Sequence, residues 1–302
     1  MQKISVAIIG WGNVGRGCKR ALAENPDLYL AGVVRRPISL GKTDPTLENV
    51  KVVADIRELG KVDVALLSIP SREVPDRIRE YQEYGICTVD SFDEHDRIPA
   101  LKKDLDINAK AKRVVSIFST GWDPGTDSGI RAIMKIASYT GHTTTTFGGE
   151  KGGRSMGHTV AVKAIEGVKD AVALTLANGP GKQKRKVYVE LVPGADPEKV
   201  AKTIQADSYF RNEPTEVLFV KSIDKYNTLH HEGDIERTGM QAKQRYVVEG
   251  TNPELTANIM VSCARACIAA RDRNEYGTYT FIERPLIDYL AGSTLDEKLE
   301  GY

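Results

Sequence analysis

The sequence predicts an α/β fold, a doubly wound and largely parallel sheet followed by a second, α+β domain. Three observations predict it. An apolar, β-branched run near the start leads directly into a glycine-rich turn and a helix. Strand and helix patterns then alternate to about residue 120, and beyond residue 125 strand-like segments predominate.

Residues 4–17 read Ile-Ser-Val-Ala-Ile-Ile-Gly-Trp-Gly-Asn-Val-Gly-Arg-Gly. Val6, Ile8 and Ile9 suit a strand buried on both faces. Gly10, Gly12 and Gly15 fall at the G-x-G-x-x-G spacing of a Rossmann-type turn, with Asn13 and Val14 between them. The first glycine permits the tight turn, the second lets a pyrophosphate approach, and the third lets helix pack on strand. The helix that begins there and runs through Cys18–Glu24 offers free N–H groups and a dipole that favour phosphate. Leu28–Val34 is the second strand and ends in Arg35-Arg36-Pro37. A carboxylate here would accept from the ribose 2′-hydroxyl of NAD. Two guanidiniums instead match the 2′-phosphate of NADP, the cofactor they predict; two solvated loop arginines is the other reading. Val50–Asp55 and Val62–Ile69 are strand-like, Val74–Tyr84 is helical, and Ile86–Val89 and Val114–Phe118 are further strands. Ligands of such sheets bind beyond the carboxyl ends of the strands. The tips of interest are therefore Gly10–Gly15, Arg35–Arg36, Ser68–Ser71 (Ser68, Pro70 and Ser71 as cofactor contacts), Asp90–Asp93 and Ser119–Asp127.

In the second half, Ser128–Tyr139, Ala161–Ile165 and Pro197–Gln205 read as helices. Thr143–Phe147, Ala171–Leu176, Lys186–Val192 and Glu216–Ile223 read as strands, the pattern of an antiparallel α+β domain for substrate binding and dimerisation. A last helix runs from Pro253 to about Arg271, with Asn252 at its N-cap and Pro253 at the first helical position. The expected domains are 1–122, NADP-binding and Rossmann-type; 123–250, α+β; and 251–302, a helical segment packing back towards the first.

Net charge is +1, from 42 basic and 41 acidic side chains in 302 residues, which recommends neither nucleic acid nor membrane as a partner. The one basic cluster, Lys182–Lys186, reads as a solvated strand edge. No apolar stretch is long enough to span a bilayer and no signal peptide precedes the first strand, so a cytoplasmic protein is expected. Cys18, Cys87, Cys263 and Cys267 show no CxxC and no disulfide-framework spacing. Cys263 and Cys267 share a helical face, but no histidine accompanies them, so they read as small buried residues and no metal site is expected.

Further motifs carry a family resemblance over essentially the whole chain. Thr88-Val89-Asp90-Ser91-Phe92-Asp93, the Gly-Trp-Asp-Pro-Gly run at 121–125, Ser155-Met156-Gly157-His158 through Ile165, and the Tyr279–Tyr289 stretch resemble meso-diaminopimelate dehydrogenase. The resemblance implies an NADP-dependent enzyme, typically a homodimer. It would oxidise the D-centre of meso-2,6-diaminopimelate to L-2-amino-6-oxopimelate, which cyclises to tetrahydrodipicolinate, and release ammonia.

Residue by residue, the resemblance implies that Asp90 and Asp123 hold the reacting amine and serve as the catalytic pair, where an Asx-turn and a loop cap are the alternatives. Trp122 walls the reacting centre. Arg185 pairs with the far carboxylate of the substrate, helped by Thr175 and His231. Phe147, Met156 and Gly157 line the pocket, and Asn252 is either a further substrate contact or a helix cap. His230 adjoins His231, so the role could belong to either; a metal at this pair is not expected, since neighbours on a strand face opposite ways. Gly148–Ser155 is longer than in the family, and the stretch between His231 and Asn252 is shorter. The rival readings are an NADP-dependent dehydrogenase of other D-amino acids or of sugars and aldehydes, and a non-catalytic NADP sensor. The sugar oxidoreductases carry Glu-Lys-Pro where this chain has Val89-Asp90-Ser91.

Overall fold

The computed structural model describes residues 3–240, 242–292 and 294–300. Along the chain, β1 (Ile4–Ile9), α1 (Asn13–Ala23), β2 (Leu28–Val34), β3 (Val52–Val53) and β4 (Val64–Leu67) come first. They are followed by α2 (Val74–Glu83), β5 (Cys87–Asp90), α3 (Ile98–Lys112), β6 (Val115–Ile117) and α4 (Asp127–Ala137). Next come β7 (His142–Phe147), β8 (Gly153–Arg154), α5 (Met156–Lys163), β9 (Val168–Ala177), β10 (Gln183–Leu191) and α6 (Pro197–Ala206). The chain continues through β11 (Thr215–Phe219), β12 (His230–Thr238), β13 (Lys243–Thr251), α7 (Asn252–Asp272), β14 (Gly277–Tyr279) and α8 (Leu295–Lys298).

Two compact units form, Met1–Gly129 with Pro253–Tyr302, and Ile130–Asn252. In the first, seven parallel strands lie in the order β14-β6-β5-β4-β1-β2-β3. The strand order reverses beside β1, and this switch point places a crevice beyond the tips of β1 and β4. The central strands are apolar throughout because both faces are covered: Ala7, Ile9, Leu67, Phe92 and Phe118 are buried in one core. Arg265 of α7 is buried and pairs with Asp27 at 2.6 Å, fastening that helix beside the start of β2. The segment after residue 252 is thus more than helical. Its β14 adds a strand beside β6, and pairing rather than its own short sequence makes it a strand. The units divide after Gly129 and after Asn252.

The second unit holds two sheets, β11-β10-β9-β8 and β13-β12-β7. The first is mixed rather than purely antiparallel, because α6 crosses over between β10 and β11 and makes them parallel. β10 is an interior strand, so the basic cluster at Lys182–Lys186 is not a solvated edge: Lys184 is exposed while Arg185 is buried. Val162, Ala173, Val187, Val189, Ile204 and Phe210 form the core under α5 and α6. α5 starts at Met156 rather than Ala161, and β3 covers only Val52–Val53 of the expected strand. Among the described residues, no helix is long and apolar enough to cross a membrane.

Candidate active site

In the first unit, β1 ends in the glycine turn. Gly10 has φ +92°, and a Cβ there would lie 2.5 Å from the Ser68 carbonyl oxygen. A Cβ on Gly15 would lie 2.4 Å from the Gly10 oxygen. These two glycines therefore press the tips of β1 and β4 and the start of α1 together. Gly12 is different: a Cβ there meets nothing within 4 Å, and it begins α1 with no side-chain cap. The first-turn N–H groups at Asn13, Val14 and Gly15 thus face an open approach, which fits a pyrophosphate.

Beyond β2, Arg35 is half-buried and lines a cleft of about 530 Å³ with Ser39, Lys42 and Thr43, whereas Arg36 is exposed and stands outside that lining. Lys42 and Thr43, which the sequence did not single out, add a cation and a hydroxyl suited to a phosphate. The same loop is tied back to the glycine turn by Asp44, which accepts from Trp11 Nε1 and Arg16 at 2.9 Å each. The Thr46 hydroxyl, followed by Arg16, the Thr46 amide and Trp11, holds its carboxyl well below the usual range. At the β4 tip, Ser68 N donates to Ile9 O, Pro70 is exposed, and the Ser71 hydroxyl donates to Asp93.

Asp90 ends β5 and is fully buried. Its Oδ1 accepts from Phe92 N at 2.9 Å and Ser119 N at 3.0 Å, so the Asx-turn is present. Its Oδ2 makes no hydrogen bond. Burial pushes the carboxyl up to about 7 against the opposing pull of those two amides. Asp123 lies in the next tip, half-buried, 3.7 Å from His95 Nε2, and Trp122 beside it is buried.

In the second unit, Arg185 and Thr175 are cross-strand partners on β10 and β9, and Gly153 of β8 pairs with Thr175 on its other side. Residues directly opposite share a face, so these three point the same way. The Arg185 guanidinium donates to the Thr175 hydroxyl and to Glu213. His231 fills the space over Gly153, where a Cβ would lie 1.9 Å from its Nδ1. Burial, then the positive charge of Arg185, drives the imidazole down to about 4, which keeps it neutral at pH 7. His230 faces the other way and pairs with Glu232 at 3.0 Å. Phe147 has its ring 6.2 Å from that of His231. Met156 and Gly157 open α5, half-buried. Asn252 opens α7, and its amide donates to the Arg154 carbonyl at 3.4 Å.

Sequence reasoning missed Glu213 and Arg154. Arg154 is buried on the opposite face of its sheet from Arg185, since it pairs with Leu174, and it donates to Asn227. No local motif marks either residue. The four cysteines are free and buried, and among the described residues no cluster could hold a metal.

A parallel sheet with a glycine turn at its switch point, a cleft beside its second strand that Arg35 and Lys42 line, and a buried carboxylate at a neighbouring tip defines the class of dinucleotide-dependent oxidoreductases. No family model matches the chain. A meso-diaminopimelate D-dehydrogenase of Bacteroides fragilis is 43% identical, over 97% of each chain. Among solved structures, a C. glutamicum DAP dehydrogenase in complex with DAP superposes with a TM-score of 0.83 at 28% identity, covering 98% of both chains. An engineered D-amino acid dehydrogenase bound to NADP+ gives 0.84 at 27% identity, again over 98% of both. The chain belongs to the meso-diaminopimelate D-dehydrogenase family.

Proposed function

We propose that the chain catalyses the NADP-dependent, reversible oxidative deamination of the D-centre of meso-2,6-diaminopimelate. The family membership and the relative solved with DAP support this reading. The balanced reaction consumes the amino acid, NADP+ and water, and yields L-2-amino-6-oxopimelate, ammonium, NADPH and a proton. NADP, when bound, supplies the acceptor for the hydride leaving Cα. The N–H groups after Gly12 would hold its pyrophosphate, with Ser68, Pro70 and Ser71 at the adjoining tip. Arg35, joined by Lys42 and Arg36, would hold the 2′-phosphate.

One observation carries the chemistry: the buried Asp90 carboxyl, with one oxygen fixed by two backbone amides and the other without a hydrogen bond. Hydride can leave Cα only when the nitrogen lone pair is free, so the ammonium must first lose a proton. A carboxyl raised to about 7 is suited to accept it. Asp123 is assigned to the same ammonium, and Trp122 to the wall beside it. Water then adds to the imine carbon, and the nitrogen departs as ammonia. In the second unit, Arg185, Thr175 and the neutral His231 are assigned to the far carboxylate. Phe147, Met156, Gly157 and Asn252 are assigned to the pocket lining.

The test is to supply NADP with meso-, LL- or DD-diaminopimelate and follow NADPH absorbance with ammonia release. The meso isomer should react and the LL isomer should not; equal rates with LL would reject the D-centre assignment. We infer also a homodimer, supported by the mostly exposed outer strand β13 with its Tyr246 and Val247, and tested by sedimentation. Four thiols with no disulfide among them support a cytoplasmic location.

A further inference from the structure

The arginine assigned to the substrate's far end is itself held by a carboxylate. Glu213 Oε2 accepts from Arg185 Nε, and Glu213 Oε1 accepts from Gln183 Nε2 at 2.8 Å. The backbone carrying Glu213 is bound at the same point, because Arg185 N donates to Pro214 O at 2.8 Å and Thr215 lies in register beside Arg185. Both side chains are largely removed from water, 10% and 23% exposed for Arg185 and Glu213. Arg185 and Glu213 form an ion pair at this point, and the neighbouring His231 is neutral at pH 7.

We propose that Glu213 is a positioning residue that sets the charge of the far-end site. Acting through Arg185, it makes the site select a far end carrying an ammonium with its carboxylate over one ending in a bare carboxylate. This rests on the reading that Arg185 binds the far end. A bare carboxylate brings an uncompensated negative charge to a pair that is already neutral, and its desolvation is opposed by Glu213. A zwitterionic end brings no net charge, and its two groups complement the guanidinium and the carboxylate in turn. By fixing Nε, Glu213 also fixes the plane of the guanidinium against Thr175.

The experiment compares kcat/KM for meso-diaminopimelate and for D-2-aminopimelate, which has the same carbon chain and lacks only the far amine. Wild-type protein should favour meso-diaminopimelate by about tenfold or more. Glu213→Gln keeps an acceptor for Arg185 Nε and removes the charge; it should shrink that ratio by about tenfold, mainly through a lower KM for D-2-aminopimelate. Glu213→Asp keeps the charge and should retain the preference. Parallel losses on both substrates in Glu213→Gln, with the ratio unchanged, would overturn the proposal. Should that variant not fold, equal kcat/KM for the two substrates in the wild type overturns it alone. Arg185→Met separates the two levels. If it raises KM for both substrates, the far-end reading stands and the Glu213 ratio decides; if it leaves both unchanged, that reading and this proposal fall together.

Discussion

Replacing Asp90 by asparagine should stabilise the resting protein at alkaline pH while abolishing its turnover. The wild-type carboxyl stands at about 7 in the folded chain, against 3.8 for an ordinary aspartate. Between about pH 4 and 7 the folded protein therefore binds a proton that the unfolded chain has lost. Stability from this group is lost as pH rises through that window, and the loss is complete above it. At 1.36 kcal/mol per unit, the burden is roughly 2 kcal/mol at pH 5 and roughly 4 kcal/mol at pH 8. Asparagine keeps an oxygen for the Phe92 and Ser119 amides and has no charge to bury. Any packing cost it brings is the same at both pH values, so the informative quantity is the change in the mutant–wild-type difference, about 2–3 kcal/mol in favour of the mutant on going from pH 5 to 8. Both tryptophans, Trp11 and Trp122, lie in the first unit, so denaturant unfolding followed by their fluorescence reports on the unit that holds Asp90. A difference that does not change with pH would refute the reasoning, because Asp90 would then titrate as an ordinary carboxylate.

Replacing Arg35 and Arg36 by alanine should weaken NADP binding by about 1.5–3 kcal/mol and leave NAD nearly untouched, with most of the effect in Arg35; an unchanged NADP/NAD ratio in titration calorimetry would exclude them from the phosphate site. Gly153→Ala drives a methyl to 1.9 Å from His231 Nδ1, and overpacking of that kind costs about 1–3 kcal/mol. Its thermal melt should fall and KM for meso-diaminopimelate should rise, whereas wild-type values for both would show that His231 yields easily. His231 itself titrates at about 4 in the fold and 6.5 outside it, so its contribution is full above about pH 6.5 and is lost as pH falls towards 4. His231→Gln should flatten the acid limb of the stability profile, and an unaltered limb would place the acid sensitivity elsewhere.

The first unit was largely legible because its signals are local. The apolar run of β1, the spacing of Gly10, Gly12 and Gly15, and the apolar Val64–Leu67 each carry their meaning within a few residues. What escaped was set by pairing. β14 is three residues made into a strand by β6, and nothing in Gly277–Tyr279 announces that neighbour. β12 alternates buried and half-buried residues through charged types, as in Glu232, Asp234 and Glu236, and its partner β13 is mostly exposed, so the usual apolar alternation is missing. Lys182–Lys186 misled for the same reason, since Arg185 is interior only because β9 and β11 flank it. At the candidate site, residue types were readable from motifs, but partnerships were not. That Asp90 would leave one oxygen without a hydrogen bond, or that Asp44 and Glu213 would hold Trp11 and Arg185, follows from approaches across long stretches of sequence.

The central claim is that hydride passes between NADP and the D-configured carbon of a diaminopimelate. It is tested most directly in the reverse direction, by supplying L-2-amino-6-oxopimelate, ammonia and NADPH deuterated at nicotinamide C4 in the transferable position. The account predicts meso-diaminopimelate bearing one deuterium, located on the D-centre Cα. Deuterium on the L-centre, the LL isomer as product, or NADPH left unoxidised would contradict it.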